Sequence, residues 1–356
     1  MLPFLSANKA PLVGLDISTT SVKLVELSRK GGQYRLESYA VEPMPQNVVE
    51  GDDIKDLEAA GEAIKRAIKR SGTRAKFAAV AVPASAVITK VIAMPAALSA
   101  DDMETQIQLE ADQYIPYPLE EVNIDFEVLG PSEHKEGMVD VLLAASRTEN
   151  VDNRVAAVDV AGLTTRVVDV ESYVVENAVI ELIAHALPEQ GAGQIIAILD
   201  VGSIKTTLHV IHDLKAVYTR DESFGGRQLT EEIMNRYGLS YEDAYRAKRQ
   251  GELPDDYRTE VLAPFKDLMA NQVYRALQFF YSSSEFTRVD RILLAGGSAA
   301  IPGIDELVRA KTGVSEVAVA NPYATMAASA KVNVPALATD GPSLLTAGGL
   351  ALRSFD

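Results

Sequence analysis

Two widely separated stretches of this chain share one pattern, and that repetition constrains the fold more than any other feature. The apolar run Val13 to Leu15 leads into Asp16, a polar turn of Ser18, Thr19, Thr20 and Ser21, and a returning apolar run from Val22 to Leu27. Much later, Ile195 to Leu199 leads into Asp200, Gly202 and Ser203, and Thr206 to Ile211 resumes the apolar pattern. Each stretch reads as a β-hairpin. Placing Asp16 on Asp200 superposes strand, carboxylate, apolar residue, small residue, polar turn and returning strand. The chain therefore reads as internally duplicated, and 356 residues with 47% hydrophobic side chains are enough for two or more domains around a large core.

Between the hairpins, Leu57 to Arg70 carries a helical apolar face and Ala75 to Val82 reads as a buried strand. After Pro83 the order changes to strand (Val87 to Met94), helix (Ala100 to Tyr114), extended stretch (Asn123 to Leu129) and strand (Met138 to Ala145), which suggests an inserted subdomain. A helix from Glu149 to Ala161, a strand from Thr165 to Val170 and a helix from Tyr173 to Ala186 complete the first half, with a glycine-containing hinge at Pro188 to Gly193. In the second half, helices are expected at Thr230 to Tyr237, Tyr241 to Gln250 and Ala263 to Phe286, a strand at Arg291 to Ala295, and a short packing helix at Leu344 to Leu352. Val332 to Pro342 reads as a linker. The expected division is 1–84 with 148–193 as the first core, joined by 343–356, and 85–147 as the insertion. The second core is 194–222 with 287–342, and 223–286 is a helical subdomain.

Charge excludes some functions. A formal net charge of −16 would repel a phosphate backbone, so nucleic acid is not an expected partner. No cysteine and only 4 histidines leave little for a thiolate metal site or a zinc centre. Met1 to Leu15 lacks a basic n-region and is broken at Pro3, unlike a signal peptide. No run approaches the roughly 18 apolar residues of a membrane span.

The residues that could carry chemistry sit in the turns. Backbone N–H groups and hydroxyls at Ser18, Thr19, Thr20 and Ser21 can face phosphate oxygens, with Lys23 supplying positive charge. Gly202 permits close backbone approach, and Ser203, Thr206 and Thr207 offer hydroxyls. Were both hairpins to grip one polyphosphate, Asp16 and Asp200 would point at the same space, and two carboxylates beside phosphates call for a Mg²⁺. The plainer alternative is that each Asp ends its strand and caps the turn. Gly296, Gly297 and Ser298 follow a strand and let a ring or phosphate approach the backbone. Gly225 and Gly226 form a further pair ahead of a helix, and Lys248 lies on a later one. Asp169 and Glu171 are the polar groups that could position a water, although a strand-end turn capping the Tyr173 helix accounts for them better.

Taken together, these turns resemble the superfamily of actin, sugar kinases and 70-kDa heat-shock ATPases. The runs QIQLEADQYIPYPLEEVNIDFEVL (Gln106 to Leu129), VLLAASR (Val141 to Arg147) and AGLTTRVVDVES (Ala161 to Ser172) resemble the PilM family of type IV pilus assembly proteins, itself similar to FtsA. The resemblance runs over nearly the whole chain. It implies an α/β, actin-like fold of duplicated ribonuclease-H-like halves with an FtsA-type inserted subdomain in the first half. It further implies ATP between the halves: Ser18 to Ser21 and Lys23 at the phosphates, Gly202, Ser203 and Thr206 opposite, and Asp16 and Asp200 toward Mg²⁺. Gly225, Gly226, Lys248, Gly296, Gly297 and Ser298 would enclose the adenosine. Ser18 departs from the glycine common in that turn.

The function implied is a cytoplasmic scaffold of the pilus inner-membrane complex, peripheral to the membrane through its partners, with weak or absent ATP turnover. Its expected partner is the N-terminal cytoplasmic tail of a PilN-like single-span membrane protein, held near Val80 to Val87 and Leu143 to Ser146, with other pilus assembly components; self-association is left open. A sugar-kinase-like phosphotransferase is the enzymatic alternative. An FtsA-like polymerising division protein is another, but it is expected to carry a C-terminal amphipathic membrane helix, which Leu350 to Asp356 does not resemble.

Overall fold

A computed structural model describes residues 10–133 and 135–356. Met1 to Lys9, on which the reading against a signal peptide partly rests, lie outside them. The chain opens with an antiparallel meander of β1 (Leu12–Ile17), β2 (Ser21–Lys30) and β3 (Gln33–Pro43). A small ribbon, β4 (Val49–Glu50) and β5 (Asp53–Ile54), leads into α1 (Leu57–Ser71). This helix is specified locally: the Asp56 side chain accepts the Ala59 N–H, Glu58 lies in the first turn and Lys69 and Arg70 in the last, and Gly72 ends it with φ 66°. The chain then returns as β6 (Phe77–Val82), parallel to β1.

A separate layer follows. β7 (Val87–Pro95), α2 (Ala100–Glu110), β8 (Val122–Pro131) and β9 (Met138–Arg147) make a three-stranded sheet in the order β7-β9-β8. One face of it buries Met94, Val141 and Leu143 against Met103 and Ile107 of α2. α3 (Thr148–Val160), β10 (Thr164–Val170) and α4 (Glu171–Ala178) rejoin the first sheet, whose order is β10-β6-β1-β2-β3.

The second sheet repeats the first. β11 (Ile195–Val201), β12 (Thr206–His212) and β13 (Lys215–Glu222) are again an antiparallel meander. α5 (Gly226–Tyr237), α6 (Tyr241–Gln250) and α7 (Ala263–Ser283) intervene before β14 (Arg291–Ala295), which lies parallel to β11. After α8 (Ile304–Thr312), β15 (Glu316–Val319) adds a parallel edge and gives the order β13-β12-β11-β14-β15. Strand for strand and direction for direction, this is the order of β3, β2, β1, β6 and β10. Among the described residues, no helix is long and apolar enough to cross a membrane.

Three local expectations are corrected. α5 begins at Gly226, ahead of Thr230, because the Gly226 and Arg227 N–H groups donate to the Gly202 and Ser203 carbonyls and so extend the helix backward. α7 stops at Ser283 because the Ser283 and Ser284 hydroxyls bond the Phe279 and Phe280 carbonyls at 2.7 and 2.8 Å. The stretch 332–342 is no linker. β16 (Ala327–Ala328) pairs with β3, α9 (Leu337–Asp340) follows, and Pro342 accepts the Gly296 N–H at 2.8 Å. The closing helix α10 (Leu345–Leu352) is buried at every residue. It presses on β1 so closely that a Cβ on Gly14 would lie 2.0 Å from the Ala347 carbonyl oxygen. A single apolar cluster joins Val25 and Leu36 to Ile198, Leu293, Leu345 and Ala351, so the two sheets share a core beneath the cleft between them.

Candidate functional site

The two hairpins are equivalent down to their hydrogen bonds. Asp16 pairs in register with Lys23, one step before the turn, and Asp200 pairs with Thr207 in the same place. In one turn the Ser18 N–H donates to the Ser21 carbonyl; in the other the Gly202 N–H donates to the Lys205 carbonyl, each at 3.0 Å. Ser18, where glycine is common, turns its hydroxyl onto the same Ser21 carbonyl at 3.0 Å.

Both turns open onto one cleft of about 1650 Å³. Asp16, Ser18, Thr19, Thr20, Ser21 and Lys23 line one wall, and Asp200, Gly202 and Ser203 belong to the other. Gly226, Lys248, Gly297 and Ser298 line the same cleft. Three expected residues frame it without facing it. The side chain of Thr206 points inward, where its hydroxyl donates to the Phe224 carbonyl at 2.8 Å; alternation along β12 turns Thr207 to the cleft instead. Gly225 lets α5 start against the turn, since its Cβ would lie 2.3 Å from the Ser203 carbonyl oxygen. Gly296, at φ 86°, would place a Cβ 2.5 Å from Asp200 Oδ1, so only glycine leaves that carboxylate in position.

The electrostatics are uneven. Lys23 Nζ donates to Asp16 at 2.7 Å; burial works against the ammonium, but the charge and hydrogen bond of Asp16, together with the charges of Asp200 and Glu171, outweigh it and hold the Lys23 pKa above its ordinary value. Among the described residues Asp200 has no lysine within ion-pair distance, and burial pushes it up to about 6 against the charges of Lys23 and Lys205. Burial pushes Glu171, the first residue of α4, up to about 7. Lys248 donates to the Gly226 carbonyl at 3.0 Å and to Thr230 Oγ1 at 2.6 Å. Burial and then the Arg249 charge push it down to about 8.

Glu171 and Asp169 part company. Glu171 lines the cleft, whereas Asp169 is held by Arg353 at 2.6 Å; neither side chain caps α4, which starts at Glu171 itself. Sequence reasoning missed Lys205, Asp52 and Arg154, which also line the cleft. Lys205 was within reach, because the alignment of the hairpins sets it on Ser21. Nothing local marked Asp52 or the buried Arg154, which donates to the Asp52 carbonyl at 2.9 Å across a long sequence separation.

Two carboxylates with pKa values raised by burial, the lysines Lys23, Lys205 and Lys248, and hydroxyl-bearing turns make a site suited to a polyanion carried with a divalent cation. Among the described residues no group of three or more His, Asp or Glu could by itself hold a metal. That donor set fits Mg²⁺, which takes one or two carboxylates and completes its shell with water and phosphate oxygens.

Comparison with known proteins agrees with this geometry. Residues 14–355 match the family model described as type IV pilus assembly protein PilM. Among solved structures, a PilM–PilN type IV pilus biogenesis complex is similar at TM-score 0.77 and 27% identity, covering 98% of this chain and 99% of that one. The cell division protein FtsA of Enterococcus hirae is 26% identical over 349 residues, 85% of this chain and 76% of the relative. An archaeal actin homolog has the same fold at TM-score 0.50 and 13% identity, covering 97% and 99% of the two chains. The fold is thus actin-like, with two related halves.

Proposed function

The chain belongs to the PilM family of type IV pilus assembly proteins, and from that premise we propose that it is a nucleotide-binding scaffold of the pilus inner-membrane complex. The reading places it in the cytoplasm, held at the membrane by the N-terminal tail of a PilN-like protein. The observation that carries it is the likeness to the PilM–PilN complex over nearly the full length of both chains.

Within the cleft, the turn N–H and hydroxyl groups of Ser18 to Ser21 and of Gly202 and Ser203 would receive the phosphates of ATP, with Lys23 beside them. Asp16 and Asp200 would hold Mg²⁺ through its waters, and a bound Mg²⁺ supplies charge neutralisation at the phosphates. Lys248, bearing no carboxylate partner among its hydrogen bonds, and the glycine-lined wall at Gly226 and Gly297 would receive the adenosine. The residues hold and orient a nucleotide. Turnover is expected to be slow, because the carboxylate best placed to orient a water, Glu171, is engaged by Lys205.

For the tail, the reading favours the junction between the first core and the inserted sheet, where the family resemblance puts the partner. β7 is an edge strand of its sheet, and Val91 on it is half exposed. Ser146 Oγ donates to the Ala86 carbonyl at 2.9 Å and fixes the two crossings. An extended tail laid along β7 would add backbone hydrogen bonds, with side-chain pockets selecting sequence. Calorimetric titration with a peptide copying the PilN-like tail tests this. Micromolar or tighter binding, weakened at least tenfold by Val91→Glu, is expected; undetectable binding by the folded wild-type protein would overturn it.

A further inference from the structure

Lys205 is the one lysine of the second hairpin turn, and its ammonium reaches away from its own half. It lies 3.5 Å from Asp52 and 3.9 Å from Glu171, both carried by the first half, and 3.1 Å from Asp221 on β13 of its own sheet. The three carboxylates are themselves fixed. Thr207 Oγ1 donates to Asp221 at 2.7 Å, Ser85 Oγ donates to Asp52 at 2.5 Å, and Arg154 holds the Asp52 backbone carbonyl. Glu171 is anchored as the first residue of α4. The equivalent contact is absent from the first hairpin, where Lys23 turns to Asp16 of its own strand pair.

We propose that Lys205 is an ionic clasp across the cleft, a positioning residue that holds the two halves at their closed spacing and slows passage of whatever the cleft contains. Asp221 aims the lysine, while Asp52 and Glu171 receive it. Beneath the cleft the halves are joined by the shared apolar cluster and α10; at the cleft itself the clasp ties them. Its ion pairs are partly exposed, which suits a contact that forms and breaks: each is worth little, and salt weakens it. The clasp also occupies Glu171, so opening it and freeing that carboxylate are one event.

A second cavity reports the opening. It is lined from the first half by Met44, Gln46 and Asn47 and from the second by Ile204, Tyr241 and Glu242. The chain has no cysteine, so spin labels at Gln46→Cys and Glu242→Cys, both exposed, measure the gap in the full-length protein without background. Lys205→Met is expected to lengthen and broaden the label-to-label distance, Lys205→Arg to restore it, and 0.5 M salt (on the order of a 4 Å Debye length) to move the wild type toward Lys205→Met. Asp52→Asn, which removes a receiving group and leaves the lysine, should act in the same direction as Lys205→Met. Unchanged distances in both Lys205→Met and Asp52→Asn would overturn the clasp. A fluorescent ATP analogue gives a second readout that rests on the proposed nucleotide site. Its release should quicken roughly three- to tenfold in Lys205→Met, as expected for losing two weak ion pairs. Should the wild type bind no analogue, the nucleotide site fails while the label distances still decide the clasp.

Discussion

Asp16 and Asp200 occupy the same register position in two hairpins of two different sheets, and both carboxylates belong to the wall of one cleft. Sequence distance does not separate them because the strand order itself repeats: each Asp sits on the strand that is central to its sheet, one pair before a turn of identical hydrogen bonding. The cleft is therefore a product of duplication, and its asymmetries mark where the two copies were put to different use. Lys23 pairs directly with Asp16, whereas among the described residues Asp200 has no ion pair of its own.

Gly296 is the tightest point of that wall. Gly296→Ala would bring a Cβ within 2.4 Å of the Val201 carbonyl oxygen in a left-handed backbone conformation at φ 86°. A loss of about 2 kcal/mol or more is expected, from strain and from displacing β11. Urea unfolding measures it; a midpoint equal to that of the wild type would show that the wall yields freely.

Glu171 should make stability depend on pH in an unusual direction. Its folded pKa, about 7, lies above the ordinary 4.5, so the folded state binds the extra proton. Its cost is absent below about pH 4.5 and complete above about pH 7. Glu171→Gln should accordingly stabilise the nucleotide-free protein at pH 8 by up to ~3 kcal/mol and have little effect at pH 4.5. Denaturation of both proteins across that range tests the sign.

His209 works the other way. Buried on β12, it is pushed down to about 4, so between pH 6.5 and 4 the unfolded chain takes up a proton that the folded protein refuses. That contribution to stability is whole above pH 6.5 and falls by about 2 kcal/mol at pH 5. In His209→Gln the fall should shrink by that amount, and an identical pH profile would count against a buried neutral imidazole.

How much of this could be read beforehand depended on whether the signal was local. The hairpins were legible because an apolar run, a carboxylate and a polar turn lie side by side at Asp16 and again at Asp200. α6 was legible for the same reason: Ser240 caps it and Gly251 ends it at φ 72°. β13 was not, since it is reached through a turn made by Asp213 and Leu214, at φ 50° and 60°, with none of the glycine that announces such turns. Of the two threonine hydroxyls the sequence offered, the resemblance put Thr206 at the phosphates, but strand alternation gives the cleft to Thr207. Lys205, Asp52 and Glu171 lie far apart in the chain, and only the closed cleft makes them neighbours. The C-terminal helix was legible from its apolar run, but the stretch before it was not: Leu337 looks like a linker residue until its partners are in place.

Arg353 ties the end of that helix to the first half. Its guanidinium meets the nearly buried Asp169 carboxylate at 2.6 Å. Removing it in Arg353→Ala leaves that charge unpaired and should cost about 2 to 3 kcal/mol. Asp169→Asn combined with Arg353→Ala should recover part of the loss, which a double-mutant cycle in urea would measure; strict additivity would mean the pair is not coupled.

The nucleotide site itself is open to a direct measurement. The protein, purified without added nucleotide and then titrated with Mg²⁺ and ATP, is examined by native mass spectrometry, alongside Lys23→Ala and Asp200→Ala. One nucleotide per chain is expected for the wild type, with occupancy falling at least tenfold in each variant while the circular dichroism spectrum is unchanged. Equal occupancy in all three folded proteins would contradict a cleft in which the paired hairpins hold the phosphates.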